Sequence, residues 1–172
     1  MNPRTLSATA LLATLALALA PNALAADYSL ANGAVKFSAS DAWPMLMEKL
    51  DGPHQFVALQ VKNPGSPDTL ARITVTVDQV DGVAGFQKFI NDGTARARKL
   101  PGYTATKSMG NASSLRYTAT ENHVKNAYAE TYAYRSNLAI QVRCIRPEDA
   151  PADWRATFDA GCQSIVSAVE QR

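Results

Sequence analysis

Imidazole and thiol chemistry is nearly absent from this chain: its 172 residues include two histidines and two cysteines. A serine triad needs a nucleophile, a base and an orienting group that converge in space. The histidines available as bases are His54, in Asp51-Gly52-Pro53-His54, and His123, in Glu121-Asn122-His123. Both contexts read as turns, which makes each a solvated loop residue. No G-x-S-x-G elbow occurs. No set of His, Cys or carboxylate recurs at metal-ligand spacing, and no glycine-rich phosphate cradle is present. Catalytic residues, a metal site and a cofactor are therefore not expected.

Charge is sparse as well. Lys and Arg number 17 against 15 Asp and Glu. The basic residues are scattered apart from Arg96, Arg98 and Lys99. Nucleic-acid binding usually shows as a basic patch or a high domain pI, so nucleic acid is excluded as the expected partner, and so is charge-driven membrane binding. Long apolar runs are missing beyond the first 25 residues, so no membrane helix is expected after them.

Those first residues are distinctive. Arg4 and the amino terminus precede an uncharged stretch, Leu6 to Ala20, with Leu11, Leu12, Leu15, Leu17 and Leu19. Pro21-Asn22 breaks it, and Ala23-Leu24-Ala25 follows. A basic start, a short apolar core and an A-x-A site make a secretory signal peptide. Cleavage is expected after Ala25, leaving one domain, 26–172, in the periplasm of a Gram-negative cell or released outside it. An uncleaved anchor is the alternative. No cysteine near the cut would accept a lipid. Without Arg4 the mature part carries 16 basic and 15 acidic side chains, close to neutral. An even cysteine count in an oxidising compartment favours a disulfide between Cys144 and Cys162. It would close a loop of about 19 residues, worth roughly 3 kcal/mol in the chain-entropy view. A redox pair would more usually be C-x-x-C.

Periodicity supplies the elements. Alternating apolar residues predict strands over 33–38, 45–50, 55–62 and 70–80, the last with Ile73, Val75 and Val77 inward. Val83, Phe86, Phe89, Ile90, Ala97 and Leu100 recur at helical spacing and predict a helix over 83–99, stopped by Pro101-Gly102. Strands follow over 103–109, 114–121, 127–135 and 138–145, with a tight turn at Ser136-Asn137. Trp154, Phe158, Cys162, Ile165, Val166 and Val169 mark a C-terminal amphipathic helix, with Asp153 as its expected N-cap. The expectation is an α+β domain: an antiparallel sheet of about six to eight strands packed with a central helix and a C-terminal helix. Cys144 at the end of the last strand would be stapled to Cys162 on the helix's inner face.

This order resembles the PsbP/DcrB-like family. The likeness is carried by Gly33-Ala34-Val35-Lys36-Phe37, Trp43-Pro44, the Val57–Val61 and Ile73–Val77 strands, the Phe86–Ile90 helix and the Leu138–Cys144 strand. It implies an antiparallel sheet built before and after a central helix and closed by a C-terminal helix. It implies no single function: members include photosystem assembly subunits, periplasmic lipoproteins, and chaperones or immunity proteins of secretion systems. No shared catalytic site comes with it.

Two groups of residues suggest binding surfaces. Arg135 and Arg143 fall on odd positions of adjacent strands, away from the Leu138/Val142 face, and, with Arg146, could line a basic stripe for an acidic partner or a carboxylate. The plainer reading is a solvated face with local salt bridges. Tyr128, Tyr132 and Tyr134, with Tyr117, share one side. An exposed aromatic ladder would mark an interaction face, and packing beneath a helix is the plainer reading. The favoured function is a non-enzymatic periplasmic protein that binds another protein, as an inhibitor, immunity protein or assembly factor. A small-ligand binder using a cleft between sheet and helix comes second, and a hydrolase around His54 or His123 third.

Overall fold

Alternation of β-branched and polar residues builds most of this molecule. In the strand Ala71–Gln79, residues Ala71, Ile73, Val75 and Val77 are buried, while Arg72, Thr74, Thr76 and Asp78 point to the other face and are half-buried. The structure, a computed structural model, describes residues 24–63, 65, 71–106 and 113–171. Residues 1–23 of the expected signal peptide lie outside the described residues, as do 64, 66–70 and 107–112 of the expected loop and strands.

Among the described residues, β1 (Ala25–Leu30) and β2 (Val35–Ser40) form a two-stranded antiparallel sheet. The chain continues as β3 (Met45–Lys49), β4 (His54–Val61), β5 (Ala71–Gln79), α1 (Gly82–Arg98), β6 (Thr104–Ala105), β7 (Ser114–Glu121), β8 (Val124–Arg135), β9 (Leu138–Pro147) and α2 (Ala152–Glu170). Strands β3 to β9 make one antiparallel sheet in the order β3-β4-β5-β9-β8-β7-β6. The meander β7-β8-β9 is set by two-residue turns, Asn122-His123 and Ser136-Asn137. All four of these residues have positive φ, between 48° and 65°. That left-handed pair matches the twist of a hairpin, and Asn tolerates it better than most residues.

Two layers cover the sheet on opposite faces. Helix α2 and the β1–β2 pair pack on one face, burying Phe37, Val57, Ile73, Val75, Ile140, Val142, Phe158, Ile165 and Val166 in the main core. The Cys144–Cys162 disulfide joins β9 to α2 inside this core, with Cα atoms 6.3 Å apart. Helix α1 packs on the other face over β7, β8 and β9, through Ala97 against Tyr117, Ala119, Tyr128 and Ile145. The expected α+β architecture is present, with one addition. Strand β1 was not foreseen, because Ala25-Ala26-Asp27-Tyr28-Ser29-Leu30 carries few β-branched residues and adjoins the expected cleavage site. Two local expectations are corrected. Helix α2 starts at Ala152 behind Pro151, so Asp153 is not the N-cap; it lies in the first turn, where its charge meets the positive helix end. His54 opens β4 instead of lying in a turn, and its Nδ1 contacts Asp78 Oδ1 across the β4–β5 pair.

Trp43, just ahead of β3, points the edge of its indole ring at Gly161 of α2. A Cβ there would sit 2.0 Å from Trp43 Cη2. Gly161→Ala must displace the indole, at an overpacking cost of about 1–3 kcal/mol. Its better helix propensity returns at most about 1 kcal/mol. Chemical denaturation should therefore show a net loss; a stabilised Gly161→Ala variant would contradict this packing.

Candidate functional site

The three arginines named from the sequence do not form a stripe. Strand register decides this. Arg143 pairs with Glu130 on the α1 face, whereas Arg135 pairs with Leu138 and Arg146 with Ala127 on the α2 face. Residues directly opposite in an antiparallel pair share a face, so the expectation that Arg135 points away from Leu138 is corrected. Arg135 Nη2 donates to Ala34 O at 2.6 Å. Arg146 grips Asp159 of α2 with Nε and Nη2, at 2.9 and 3.0 Å. Arg143 and the tyrosines do come together, but not as a surface ladder. Tyr117, Tyr128 and Tyr132 are 1–3% exposed. Tyr134 is half-buried against Phe86 of α1, and its hydroxyl donates to Asn137 Oδ1.

Their partner is Glu130, a residue the sequence did not single out. It lies in the middle of β8 and is 3% exposed. Tyr117 Oη donates to its Oε1 at 2.7 Å, and Tyr132 Oη and Gln141 Nε2 donate to Oε2. Arg143 Nη2 donates to Tyr117 Oη at 3.3 Å. Its Nε sits 3.0 Å from Glu130 Oε1 but is misaligned for a hydrogen bond, so this contact is charge attraction. The guanidinium lies over the Tyr128 ring, 5.3 Å from its centre, and that ring stacks on Tyr117 with centroids 4.5 Å apart. Tyr128 Oη donates to Glu121, which Arg72 holds at 2.7–2.8 Å. The β-period accounts for the cluster: Tyr128, Glu130 and Tyr132 alternate on β8, Gln141 and Arg143 on β9, and Tyr117 faces Tyr128 from β7. Gly93 of α1 permits the close approach, because a Cβ there would lie 2.4 Å from Tyr132 Oη.

Burial and the Glu130 charge raise the Tyr117 and Tyr132 phenols well above the usual tyrosine value. Burial, then Glu121, pushes Tyr128 up to about 12. A raised folded value means that the folded state keeps protons the unfolded state releases. The stability this supplies is complete below the ordinary value of 10.0 and is lost as pH rises above it, for Tyr128 up to about 12. We expect tyrosinate absorbance in a pH titration to reveal these three phenols only as the protein unfolds in alkali. Titration of all six tyrosines near the ordinary value in a folded protein would refute the buried cluster.

A different feature lies at the sheet's edge. Among the described residues, β3 is a terminal strand, paired on one side only, with β4. Met45, Leu46, Met47 and the following Leu50 are 44–56% exposed. Along this edge, unpaired main-chain groups stand beside apolar side chains. Charged residues, prolines or a cover usually protect such an edge; here Glu48, Lys49 and an irregularity between Met45 and Met47 interrupt it. The sequence did mark 45–50 as a strand, but not as an edge. No three His, Cys, Asp or Glu side chains converge as a metal site among the described residues, and no helix among them is long and apolar enough to cross a membrane.

No protein-family model and no curated protein matches the chain. Solved structures do. LpqN of Mycobacterium tuberculosis, a protein involved in cell envelope biogenesis, aligns over 78% of both chains at 13% identity and a TM-score of 0.50. PA94 of Pseudomonas aeruginosa, a protein of unknown function, aligns over 86% of this chain and 98% of its own, at 16% identity and a TM-score of 0.51. This chain shares their α+β fold. The PsbP (CyanoP) protein of Synechocystis aligns over 83% of this chain and 91% of its own, at 13% identity and a TM-score of 0.45. The α+β fold expected from element order is the one this chain shares with LpqN and PA94.

Proposed function

We propose that this chain is an exported, non-enzymatic protein that binds a partner polypeptide along the open edge of β3. The observation that carries the reading is the coincidence of a free strand edge with Met45, Leu46, Met47 and Leu50 in solvent. An extended segment of another protein could add to such an edge, gaining main-chain hydrogen bonds while its side chains cover the methionines and leucines. Export is supported by the signal-like N-terminal sequence and by the disulfide, which suits an oxidising compartment. An inhibitor, immunity protein or assembly factor would each fit this role.

The test places a photoreactive residue at Leu46 and, as a control, at Val83, an exposed apolar residue of α1. Irradiation in intact cells should give one discrete heterologous adduct from position 46 and none from position 83. Met47→Asp should abolish it while leaving the fold intact, since exposed substitutions usually change stability by only about 0.5 kcal/mol. Equal adducts from both positions, an adduct that survives Met47→Asp, or an adduct of two copies of this chain would each defeat the reading.

A further inference from the structure

Between the C-terminal half of α1 and the sheet lies a cavity of about 230 Å³, walled by Arg96, Ala97 and Leu100 above and Glu130, Gln141 and Arg143 below. We infer that this cavity binds a small organic carboxylate, at a site separate from the β3 edge and independent of it. Glu130 is saturated with hydrogen bonds. Two phenols and an amide already donate to its oxygens, and Arg143 meets it as an ion pair without a hydrogen bond. Arg143 Nε is close to Glu130 but misaligned, and Nη1 donates to no described residue. Arg96 forms no ion pair among the described residues and is exposed at the rim. Two guanidinium groups against one carboxylate leave the lining with a net positive charge, which selects an anion.

Shape narrows the choice. The planar guanidinium fork matches a carboxylate in bidentate fashion. Ala97 and Leu100 offer hydrocarbon to the other end of the ligand, which a bare inorganic anion could not use. The volume falls below the roughly 300–1,000 Å³ of sites for drug-sized molecules, so the ligand has few heavy atoms.

Calorimetric titration and thermal melting of the purified protein with butyrate, benzoate, benzamide and inorganic phosphate test this. Butyrate or benzoate should bind and raise the melting temperature with concentration, while benzamide, which has the shape of benzoate without its charge, should not. Arg96→Gln changes an exposed residue and leaves the Glu130 cluster intact. It should weaken carboxylate binding about tenfold, the loss of roughly one charged hydrogen bond. Failure of both carboxylates to bind, equal binding of benzamide, or unchanged affinity in Arg96→Gln would overturn the site. Phosphate binding as tightly as butyrate would overturn its assignment to carboxylates.

Discussion

Replacing Glu130 with alanine should cost about 3 kcal/mol of folding stability, the lower end of the range for removing one partner of a buried ion pair. The lower end applies because Glu130 is buried while a third of the Arg143 side chain still reaches solvent. The loss has several parts. Tyr117 and Tyr132 each lose the acceptor of a buried hydroxyl, Gln141 loses one of its two, and Arg143 loses its counter-charge. Glu130→Gln keeps one acceptor oxygen and should lose less. Urea unfolding with an unchanged slope is the measurement. A Glu130→Ala variant within about 0.5 kcal/mol of the parent, the usual range for a surface change, would show that the cluster does not bind the sheet together.

The second large effect concerns the disulfide. Replacing Cys144 and Cys162 together with alanine should lower stability by about 3 kcal/mol, since the bridge spans 18 positions of sequence and mainly restricts the unfolded chain. For a domain of this size that corresponds to a fall in melting temperature of roughly 6–12 °C. The parent protein in reductant should melt below the oxidised parent but above the double variant, because it keeps both sulfurs in the core. Both sulfurs lie in the main core, so the lost packing adds to the chain-entropy effect. Identical melting of the parent with and without reductant would show that the bridge contributes nothing.

Most of the framework was legible because it depends on period. The alternation of Ile73, Val75 and Val77, the helical spacing of Phe86, Phe89 and Ala97, and the apolar face of α2 each reflect which side is buried, and sequence carries that directly. Cys144 and Cys162 were paired from their number and expected compartment, before any geometry. Long-range register was not legible. Arg135 and Arg143 look alike as odd-numbered residues on neighbouring strands, yet the two-residue turn at Ser136-Asn137 puts Arg135 opposite Leu138 and Arg143 opposite Glu130. A turn fixes such pairings: the two-residue loop expected between strands 127–135 and 138–145 already carries them, and counting outward from it pairs Arg135 with Leu138 and Arg143 with Glu130. Glu130 escaped notice because a lone carboxylate amid tyrosines looks like a solvent-facing residue. Nothing local reveals that Gly93 lets α1 settle onto it. Strand β3 was read correctly as a strand, but its edge position depends on β5 pairing with β9, a contact between distant parts of the chain.

Strand β9 sits between β5 and β8 and serves both cores. Ile140, Val142 and Cys144 face α2, while Gln141, Arg143 and Ile145 face α1. It is also the last strand made. Until residues 138–147 emerge, β5 has no second neighbour and Glu130 has neither Gln141 nor Arg143; Cys144 then waits for Cys162 on α2, which follows it in the chain. Pairing across such sequence distances is slow, because the entropy of closing the loop must be met before any contact forms. The two halves of the sheet are thus joined only when the chain is nearly complete, and the core beneath α2 closes last of all.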